Sequence, residues 1–206
     1  MSENDAGGLP TVVRSPELMN PQDTGLLVVD MQERLLAAQP GGERVAWNVR
    51  RLLDGAKLLE VASAATEQYP EKLGSTLSDL ANRLSAPPVA KLSFSCRTCD
   101  DIFASWRTSG IHRILICGIE THVCVQQTTL DLLAAGFQVN VTADAVSSRH
   151  AIDHDTALRR MESSGALLTT TEAALFEWCN EAGTEEFKGV SALVKEDLSS
   201  FNSISS

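Results

Sequence analysis

Short apolar runs alternate with amphipathic stretches along most of the chain, and this alternation is the sequence feature that constrains the fold most. The run from Leu26 to Val29 is continuous and apolar, which is typical of a strand buried on both faces of a parallel sheet. Further on, apolar residues recur at helical spacing, at Val45, Val49, Leu52, Leu53, Ala56 and Leu59. Because strand-like and helix-like segments keep alternating, the sequence predicts an α/β domain with a six-stranded, mostly parallel sheet.

The element boundaries follow from the apolar periodicity and from Gly and Pro residues between the elements. The predicted strands cover residues 24–30, 61–66, 89–92, 112–117, 137–142 and 166–169. Helices are predicted at residues 77–84, 100–108, 124–135, 152–163 and 185–195, and residues 68–76 are predicted as loop. A capping box at Thr169–Glu172 predicts one more helix, which runs through Trp178.

The chain length of 206 residues fits one domain with a sizeable core. We assign residues 23–198 to this domain, residues 1–22 to an N-terminal arm or strap, and residues 199–206 to a flexible tail. The formal net charge of −10 argues against nucleic acid or an anionic membrane as a partner. No apolar run approaches the roughly 20 residues that a membrane span needs.

The cysteines and the first residues indicate where the protein resides. Residues 1–10 lack the basic start and the apolar core of a secretory signal. The five cysteines are an odd number, and without an export signal they are expected to be reduced thiols. We therefore predict a cytoplasmic location. The CxxC motif at Cys96–Cys99 suggests a redox pair or half of a zinc site, but no second pair of ligands follows at zinc-site spacing.

Three chemically active side chains stand at the predicted carboxyl ends of strands, where open parallel sheets bind their ligands. Asp30 ends the first strand, Lys91 ends the third, and Cys124 follows the fourth at the start of a predicted helix. The unpaired N–H groups and the dipole of a helix start would stabilise a thiolate at Cys124. Asp30 would then exchange a proton with the thiol, and Lys91 would keep Asp30 ionised.

Each of these residues also has a purely structural interpretation. Asp30 would serve equally as a cap for the helix that follows it, and Lys91 as a solvated loop residue. Cys124 would serve as a small buried side chain, since free cysteine is often buried. The spacing along the sequence does not show that the three side chains meet.

Six segments together resemble one known family: LVVDMQE at 27–33, TEQYP at 66–70, KLSFS at 91–95, GIETHVC at 118–124, QTTLDLL at 127–133 and DAVSSR at 144–149. In these segments the chain resembles the isochorismatase-like (cysteine hydrolase) superfamily, and within it the isochorismatase domain-containing proteins. The resemblance implies a Rossmann-like three-layer α/β/α fold, a homo-oligomer of two or more subunits, and Asp30, Lys91 and Cys124 as catalytic residues. It also implies a cis peptide between Ile119 and Glu120, and an oxyanion hole formed by the N–H groups of Glu120 and Cys124.

The chain departs from the metal-binding nicotinamidases of this superfamily, which carry an aspartate and two histidines after the second strand. The corresponding segment here, TEQYP at 66–70, has no histidine. We therefore expect no metal and no cofactor. Side chains that would line a substrate pocket are Gln32, Tyr69, Phe94 and His122, of which His122 is first of all a wall residue.

The sequence thus predicts a metal-independent cysteine hydrolase that acts on a small amide or ureido substrate through a thioester intermediate. Two alternatives remain open at this point. One is an isochorismatase-type vinyl-ether hydrolase in which Asp30 is the acid and the thiol is not used. The other is a non-catalytic interaction protein built on the same fold.

Overall fold

The computed structural model describes residues 14–198, so residues 1–13 of the predicted arm and the predicted tail 199–206 lie outside the described residues. Its centre is a six-stranded sheet in the order β3-β2-β1-β4-β5-β6, in which all neighbouring strands are parallel. The strands are β1 (Thr24–Val29), β2 (Ala62–Gln68), β3 (Val89–Lys91), β4 (Arg113–Ile119), β5 (Gln138–Ser147) and β6 (Leu167–Thr169).

Helices connect the strands and cover both faces of the sheet. The α-helices are α1 (Glu33–Leu36), α2 (Gly42–Leu58), α3 (Pro70–Leu73), α4 (Ser78–Ala81), α5 (Asp100–Thr108), α6 (Gln126–Ala134), α7 (Ala151–Ser163), α8 (Thr171–Cys179) and α9 (Glu185–Lys195). A 3-10 turn, Cys96–Thr98, precedes α5, and a π-helical turn, Thr121–Val125, precedes α6. We call the latter the Cys124 turn. Within residues 14–198 no helix has both the length and the apolar composition needed to cross a membrane.

The sheet separates two hydrophobic cores, because successive side chains of a strand point to opposite faces. Leu26 and Val28 of β1 pack with residues of α2, α4, α8 and α9, whereas Leu27 and Val29 pack with residues of α5, α6 and α7. All four β1 side chains are buried, which is why β1 is a continuous apolar run rather than an alternating pattern. The predicted three-layer α/β/α fold is therefore confirmed.

Several predicted boundaries differ from the structure. The segment predicted as loop, 68–76, contains the short helix α3, and the helix predicted at 77–84 is shortened to α4. Helix α8 begins one residue later than the predicted capping box, since Thr170 is its N-cap and its hydroxyl accepts from the N–H of Ala173. Cys124 lies in the π-helical turn and not in the α-helix predicted for 124–135.

The described part of the predicted arm lies against the domain as a strap. Met19 is fully buried, and its N–H donates to the Glu177 carboxylate of α8 at 2.8 Å. From β4, the buried Arg113 guanidinium donates to the carbonyls of Pro16 and Glu17 at 2.5 and 2.8 Å. These contacts fix residues 16–19 on the face formed by α8 and the amino end of β4.

The strand order reverses between β1 and β4, and this switch point opens a crevice at the carboxyl ends of the two strands. Gly118 allows the close approach of β4 to β1 there. Its φ is +113°, and a Cβ at this position would lie 2.0 Å from the carbonyl oxygen of Val29. Only glycine satisfies both restrictions, so this residue directs the chain from β4 into the Cys124 turn.

Candidate active site

The Asp30 carboxylate lies at the centre of the site, directly after β1. Its backbone has a φ of +49°, in the left-handed region that aspartate tolerates better than most residues. The backbone N–H of Asp30 donates to the Thr66 carbonyl at 3.2 Å, and its side chain is fully buried. A buried carboxylate needs a charge partner or several donors to be stable in the ionised form.

Lys91 supplies that partner from the end of β3. Its Nζ lies 2.7 Å from Asp30 Oδ2, 2.8 Å from Gln68 Oε1 and 3.2 Å from the carbonyl oxygen of Phe94. These three acceptors match the three hydrogens of the ammonium group. The Lys91 side chain is 2% exposed, so the ion pair is shielded from water and from salt.

The ionic state of Lys91 follows from these neighbours. Burial lowers the pKa of Lys91, but the charge and the hydrogen bond of the Asp30 carboxylate raise it, and the resulting pKa lies above its usual value. Lys91 is therefore an ammonium throughout the neutral range. It provides a fixed positive charge and does not itself act as a base.

Cys124 faces Asp30 from the Cys124 turn and is 5% exposed. Burial raises the pKa of the Cys124 thiol well above its usual range, and the Asp30 carboxylate raises it further by its charge and by a hydrogen bond with the thiol. The Lys91 charge lowers it, but by less than these effects raise it. The expectation that a helix start stabilises a thiolate is thus wrong for the resting site, because desolvation and a buried anion outweigh the backbone.

The Cys124 turn begins with a cis peptide bond between Ile119 and Glu120. The Glu120 carbonyl accepts hydrogen bonds from the N–H groups of Val123 and Val125, at 3.1 and 3.2 Å. The Glu120 side chain points the other way, where its Oε1 accepts from Gln39 Nε2 at 2.9 Å and from Arg149 Nε at 3.0 Å. The turn is therefore tied to segments before and after it in the chain.

The four predicted pocket residues occupy different environments. Gln32 is fully buried, and its amide joins β2 to the next loop by donating to the carbonyls of Gln68 and Gly74 and accepting from the N–H of Gln68. Both amide hydrogens of Gln32 are used in these contacts, so it braces the wall of the site. Tyr69 and Phe94 are 39% and 51% exposed, beside the carboxyl end of β3.

His122 lies on the outer side of the Cys124 turn. Its Nδ1 is 3.0 Å from the Ser148 hydroxyl, and its Nε2 is 3.9 Å from the Asp153 carboxylate of α7. The imidazole therefore joins the turn to the end of β5 and to α7. The role of His122 in lining a substrate pocket stays a prediction.

The sequence did not indicate that Thr66 and Gln68 of β2 belong to the site, and it indicated Cys96 of the 3-10 turn only as part of the CxxC motif. The Thr66 hydroxyl donates to Asp30 Oδ1 at 2.8 Å and lies 3.4 Å from Cys96 Sγ. Gln68 holds Lys91, as described above. Thr66 and Gln68 both belong to the TEQYP segment, which the sequence-based prediction used only for its lack of histidine.

The CxxC cysteines are free thiols in the structure. Burial raises the pKa of Cys96 to about 12, and burial also raises the pKa of Cys99. Within residues 14–198 no three His, Cys, Asp or Glu side chains are grouped so that they could hold a metal ion. The end of β2 instead presents a hydroxyl and an amide, which are engaged with Asp30 and Lys91.

An acid, a cation and a thiol converge at the switch point of the parallel sheet, which is where open α/β sheets bind their ligands. The chain belongs to the isochorismatase family, since the model of the isochorismatase domain matches residues 24–173. The resemblance inferred from the six segments is thereby confirmed, and with it the hydrolase class of the fold.

Two curated relatives cover most of the chain. The secreted isochorismatase effector Isc1 of Phytophthora sojae is 40% identical over 184 residues, which are 86% of this chain and 87% of that protein. The isochorismatase domain-containing protein 2 of Homo sapiens is 38% identical over 176 residues, 85% of each chain. The similarity to the domain-containing branch therefore extends over nearly the whole described chain.

Solved structures with the same fold include two of different similarity. MAR1 ribonuclease from Caenorhabditis elegans is 35% identical, with a TM-score of 0.81 over 88% of this chain and 94% of that one. YcaC from Escherichia coli, described as an octameric hydrolase of unknown specificity, is 23% identical, with a TM-score of 0.83 over 93% of this chain and 96% of that one. At that identity YcaC demonstrates the shared fold alone.

Proposed function

We propose that the protein is a metal-independent cysteine hydrolase that acts on a small amide or ureido substrate through a thioester. The observation that carries this proposal is the buried Asp30–Lys91 ion pair, whose two charges both act on the Cys124 thiol. Nucleophilic catalysis requires a thiol next to a base that is itself held in place by a third group. Asp30, Lys91 and Cys124 meet this requirement as a catalytic triad.

The raised pKa of Cys124 assigns the first step to Asp30. As Cys124 Sγ forms a bond to the substrate carbonyl carbon, its proton passes to Asp30, and the N–H groups of Glu120 and Cys124 bind the developing oxyanion. The tetrahedral intermediate collapses, the C–N bond breaks, and Asp30 returns the proton to the leaving amine. A water molecule, deprotonated by Asp30, then hydrolyses the thioester and restores the thiol.

The fixed charge of Lys91 has a defined role in this sequence. It compensates Asp30 when the carboxylate is ionised, and it remains a cation after Asp30 takes the proton, when the site has a positive charge that favours the oxyanion. Metal independence is supported by the donor set at the end of β2, because Thr66 and Gln68 are already bound to Asp30 and Lys91. The proposed site requires no cofactor.

The mouth of the site supports a homo-oligomer of two or more subunits. Apolar side chains beside the edge strand β3 are exposed, with Leu92 at 72%, Phe94 at 51% and Tyr69 at 39%. An apolar cluster of this kind at a sheet edge favours an interface between subunits. The octameric assembly described for YcaC agrees with this proposal. Analytical ultracentrifugation of the full chain tests it, and a purely monomeric distribution at micromolar concentration contradicts it.

Labelling tests the nucleophile. Intact-mass analysis after incubation with iodoacetamide, and separately with a metabolite extract, should show one adduct fewer in Cys124→Ala than in the wild type and in Cys96→Ala. Peptide mapping identifies the labelled cysteine. A panel of small amides and ureides then tests for turnover by the wild type and its loss in Cys124→Ala. Equal labelling of the two variants would rule out Cys124 as the nucleophile.

Two other functions make different predictions in the same experiment. A vinyl-ether hydrolase that uses Asp30 as its acid retains activity in Cys124→Ala on an isochorismate-like substrate, but loses it in Asp30→Asn. A non-catalytic interaction protein shows no turnover on the panel and no selective labelling of Cys124. The position of the Cys124 thiol beside the Asp30–Lys91 pair favours the first proposal over both, since neither alternative requires a thiol there.

The partner and location predictions also remain proposals. The net charge of −10 supports the absence of a nucleic-acid partner, while the ribonuclease name of the C. elegans relative makes RNA the appropriate challenge. Cleavage of single-stranded RNA by the wild type but not by Cys124→Ala would contradict the small-molecule proposal.

The five free thiols support a cytoplasmic location, and fractionation of the source cells tests it against the secretion named for Isc1.

A further inference from the structure

The Asp30 carboxylate has a second buried partner on the side away from Lys91. Thr66, in β2, is fully buried, and its hydroxyl donates to Asp30 Oδ1 at 2.8 Å, whereas Lys91 Nζ contacts Oδ2 at 2.7 Å. The two oxygens of one carboxylate are therefore held by different groups from neighbouring strands. Neither contact by itself explains which group would form a hydrogen bond with Asp30 once its carboxylate is protonated.

The hydrogen bond from Thr66 to Asp30 sets the direction of the contact between Thr66 and Cys96. A threonine hydroxyl has one hydrogen, and in the resting site Asp30 accepts it, so the thiol hydrogen of Cys96 points towards Thr66 across 3.4 Å. The raised pKa of Cys96 keeps this hydrogen in place at neutral pH. The N–H of Cys96 donates to the Thr128 hydroxyl of α6 at 2.9 Å, which fixes the position of the thiol.

Protonation of Asp30 changes the hydrogen bond that a neighbour of the protonated oxygen has to form, from donating to accepting. The Lys91 ammonium donates only, so it cannot accept a hydrogen bond from a protonated carboxyl. A proton on Oδ1 can instead be donated to Thr66, whose hydroxyl then turns towards the Cys96 sulfur, a weak acceptor. A hydroxyl and a thiol can both change direction, so both oxygens of Asp30 keep a partner in either protonation state.

We propose that Thr66 is a positioning residue for proton transfer in the hydrolysis proposed above: its hydroxyl, backed by Cys96, orients the Asp30 carboxylate and reverses when Asp30 takes the Cys124 proton. The inference rests on the proposed function and adds to it a partner for each protonation state of the base. No covalent step is added, since the proton moves from Cys124 to Asp30 and the Thr66 hydrogen bond changes only its direction.

The other titratable groups near Asp30 stay in place in a Thr66 variant. Those coupled to Asp30 are Lys91 of β3, Cys124 of the Cys124 turn, and Cys96 and Cys99 at the 3-10 turn. All of them remain when Thr66 is replaced. A change in pH dependence in such a variant therefore reports on the missing hydroxyl rather than on a missing charge.

The test measures the rate at which iodoacetamide alkylates Cys124 between pH 5 and 9, by peptide mapping of the full chain. Because the raised pKa of Cys124 leaves little free thiolate at neutral pH, alkylation depends on Asp30 as base. Thr66→Val removes a hydrogen bond that orients this carboxylate. It should move the pH profile of Cys124 alkylation to higher pH by about one unit, while Thr66→Ser should restore the wild-type profile.

Thr66→Ala removes the same hydroxyl without adding a methyl group near Asp30, and it serves if Thr66→Val does not fold, as judged by its thermal unfolding curve. An unshifted profile in both variants overturns the proposal, and so does a shift in Thr66→Ser equal to that in Thr66→Val. These outcomes leave the proposed function intact if wild-type Cys124 is labelled selectively. A wild type in which Cys124 is not labelled at all overturns the proposed function as well.

Discussion

Removing the Lys91 charge should destabilise the protein far more than removing a surface lysine, because its partner is a fully buried carboxylate. Lys91→Met keeps most of the side-chain volume and deletes the ammonium. In the variant the Asp30 oxygen, the Gln68 amide oxygen and the Phe94 carbonyl all lose a donor. Asp30 keeps the Thr66 hydroxyl and the Cys124 thiol as partners.

The size of the effect follows from this arrangement. Leaving one member of a buried ion pair without its partner costs about 3–5 kcal/mol, and the two remaining partners of Asp30 favour the lower part of that range. We expect a loss of about 3 kcal/mol in the free energy of unfolding at pH 7, a large fraction of the roughly 5–15 kcal/mol of a typical domain.

A double-mutant cycle measured by urea unfolding tests this estimate. Asp30→Asn, Lys91→Met and the double variant are compared with the wild type at pH 7, with Lys188→Met as the control at an exposed ion pair. The double variant replaces the pair by neutral groups and should be more stable than the sum of the single effects predicts, by about 2 kcal/mol. A Lys91→Met loss below about 1 kcal/mol, or strict additivity in the cycle, would refute the reasoning.

Two further predictions concern the backbone and the buried thiols. Gly118→Ala should prevent stable folding, since its Cβ would lie 2.0 Å from the Val29 oxygen. Gly136→Ala is the matched control, because Gly136 has a φ of +84° and a Cβ there would have no atom within 4 Å. It should lower the free energy of unfolding in urea by only about 1–2 kcal/mol. Burial raises the pKa of Cys96, Cys117 and Cys124 in the folded state, so the folded chain keeps protons that the unfolded chain releases above about pH 8.5. The contribution of these thiols to stability should therefore be constant below that pH and fall as pH rises towards the folded pKa of about 12 for Cys96. In Cys117→Ala the free energy of unfolding should fall less steeply with pH. An unchanged free energy of unfolding between pH 8 and 10.5 would contradict this prediction.

The strands could be predicted from sequence where burial on both faces produces an apolar run, as in β1 and the first half of β5. The prediction stopped at residue 142, but β5 continues to Ser147 with a shift in register opposite the segment from Ile116 to Gly118. The Asp144 carboxylate there accepts from the N–H and the hydroxyl of Thr171, at 2.8 and 3.0 Å. Because the hydrogen-bond partner of Asp144 lies in a helix distant in sequence, the residues around Asp144 show no apolar periodicity from which the end of the strand could be predicted.

The site was predictable to the extent that parallel strands place their carboxyl ends at one edge of the sheet. This rule grouped Asp30, Lys91 and Cys124, although it could not give their distances. It could not find Thr66 and Gln68, whose roles depend on the register of β2 against β3, where Gln68 lies opposite Lys91. It also misjudged the resting state of Cys124, because a local motif contains no information about desolvation or about a buried anion from another strand.

The raised pKa of Cys124 changes how the reactivity of this site should be understood. A thiolate held by a helix start would react with any electrophile that reached it. A thiol that shares a hydrogen bond with Asp30 becomes a strong nucleophile only when its proton is transferred, and the Lys91 charge and the Thr66 hydroxyl determine how readily Asp30 accepts that proton. Reaction is then favoured for an electrophilic carbon placed so that bond formation to sulfur and proton transfer to Asp30 occur together. The buried pair therefore contributes selectivity as well as rate, and the residues that hold Asp30 are as much part of the proposed chemistry as the thiol is.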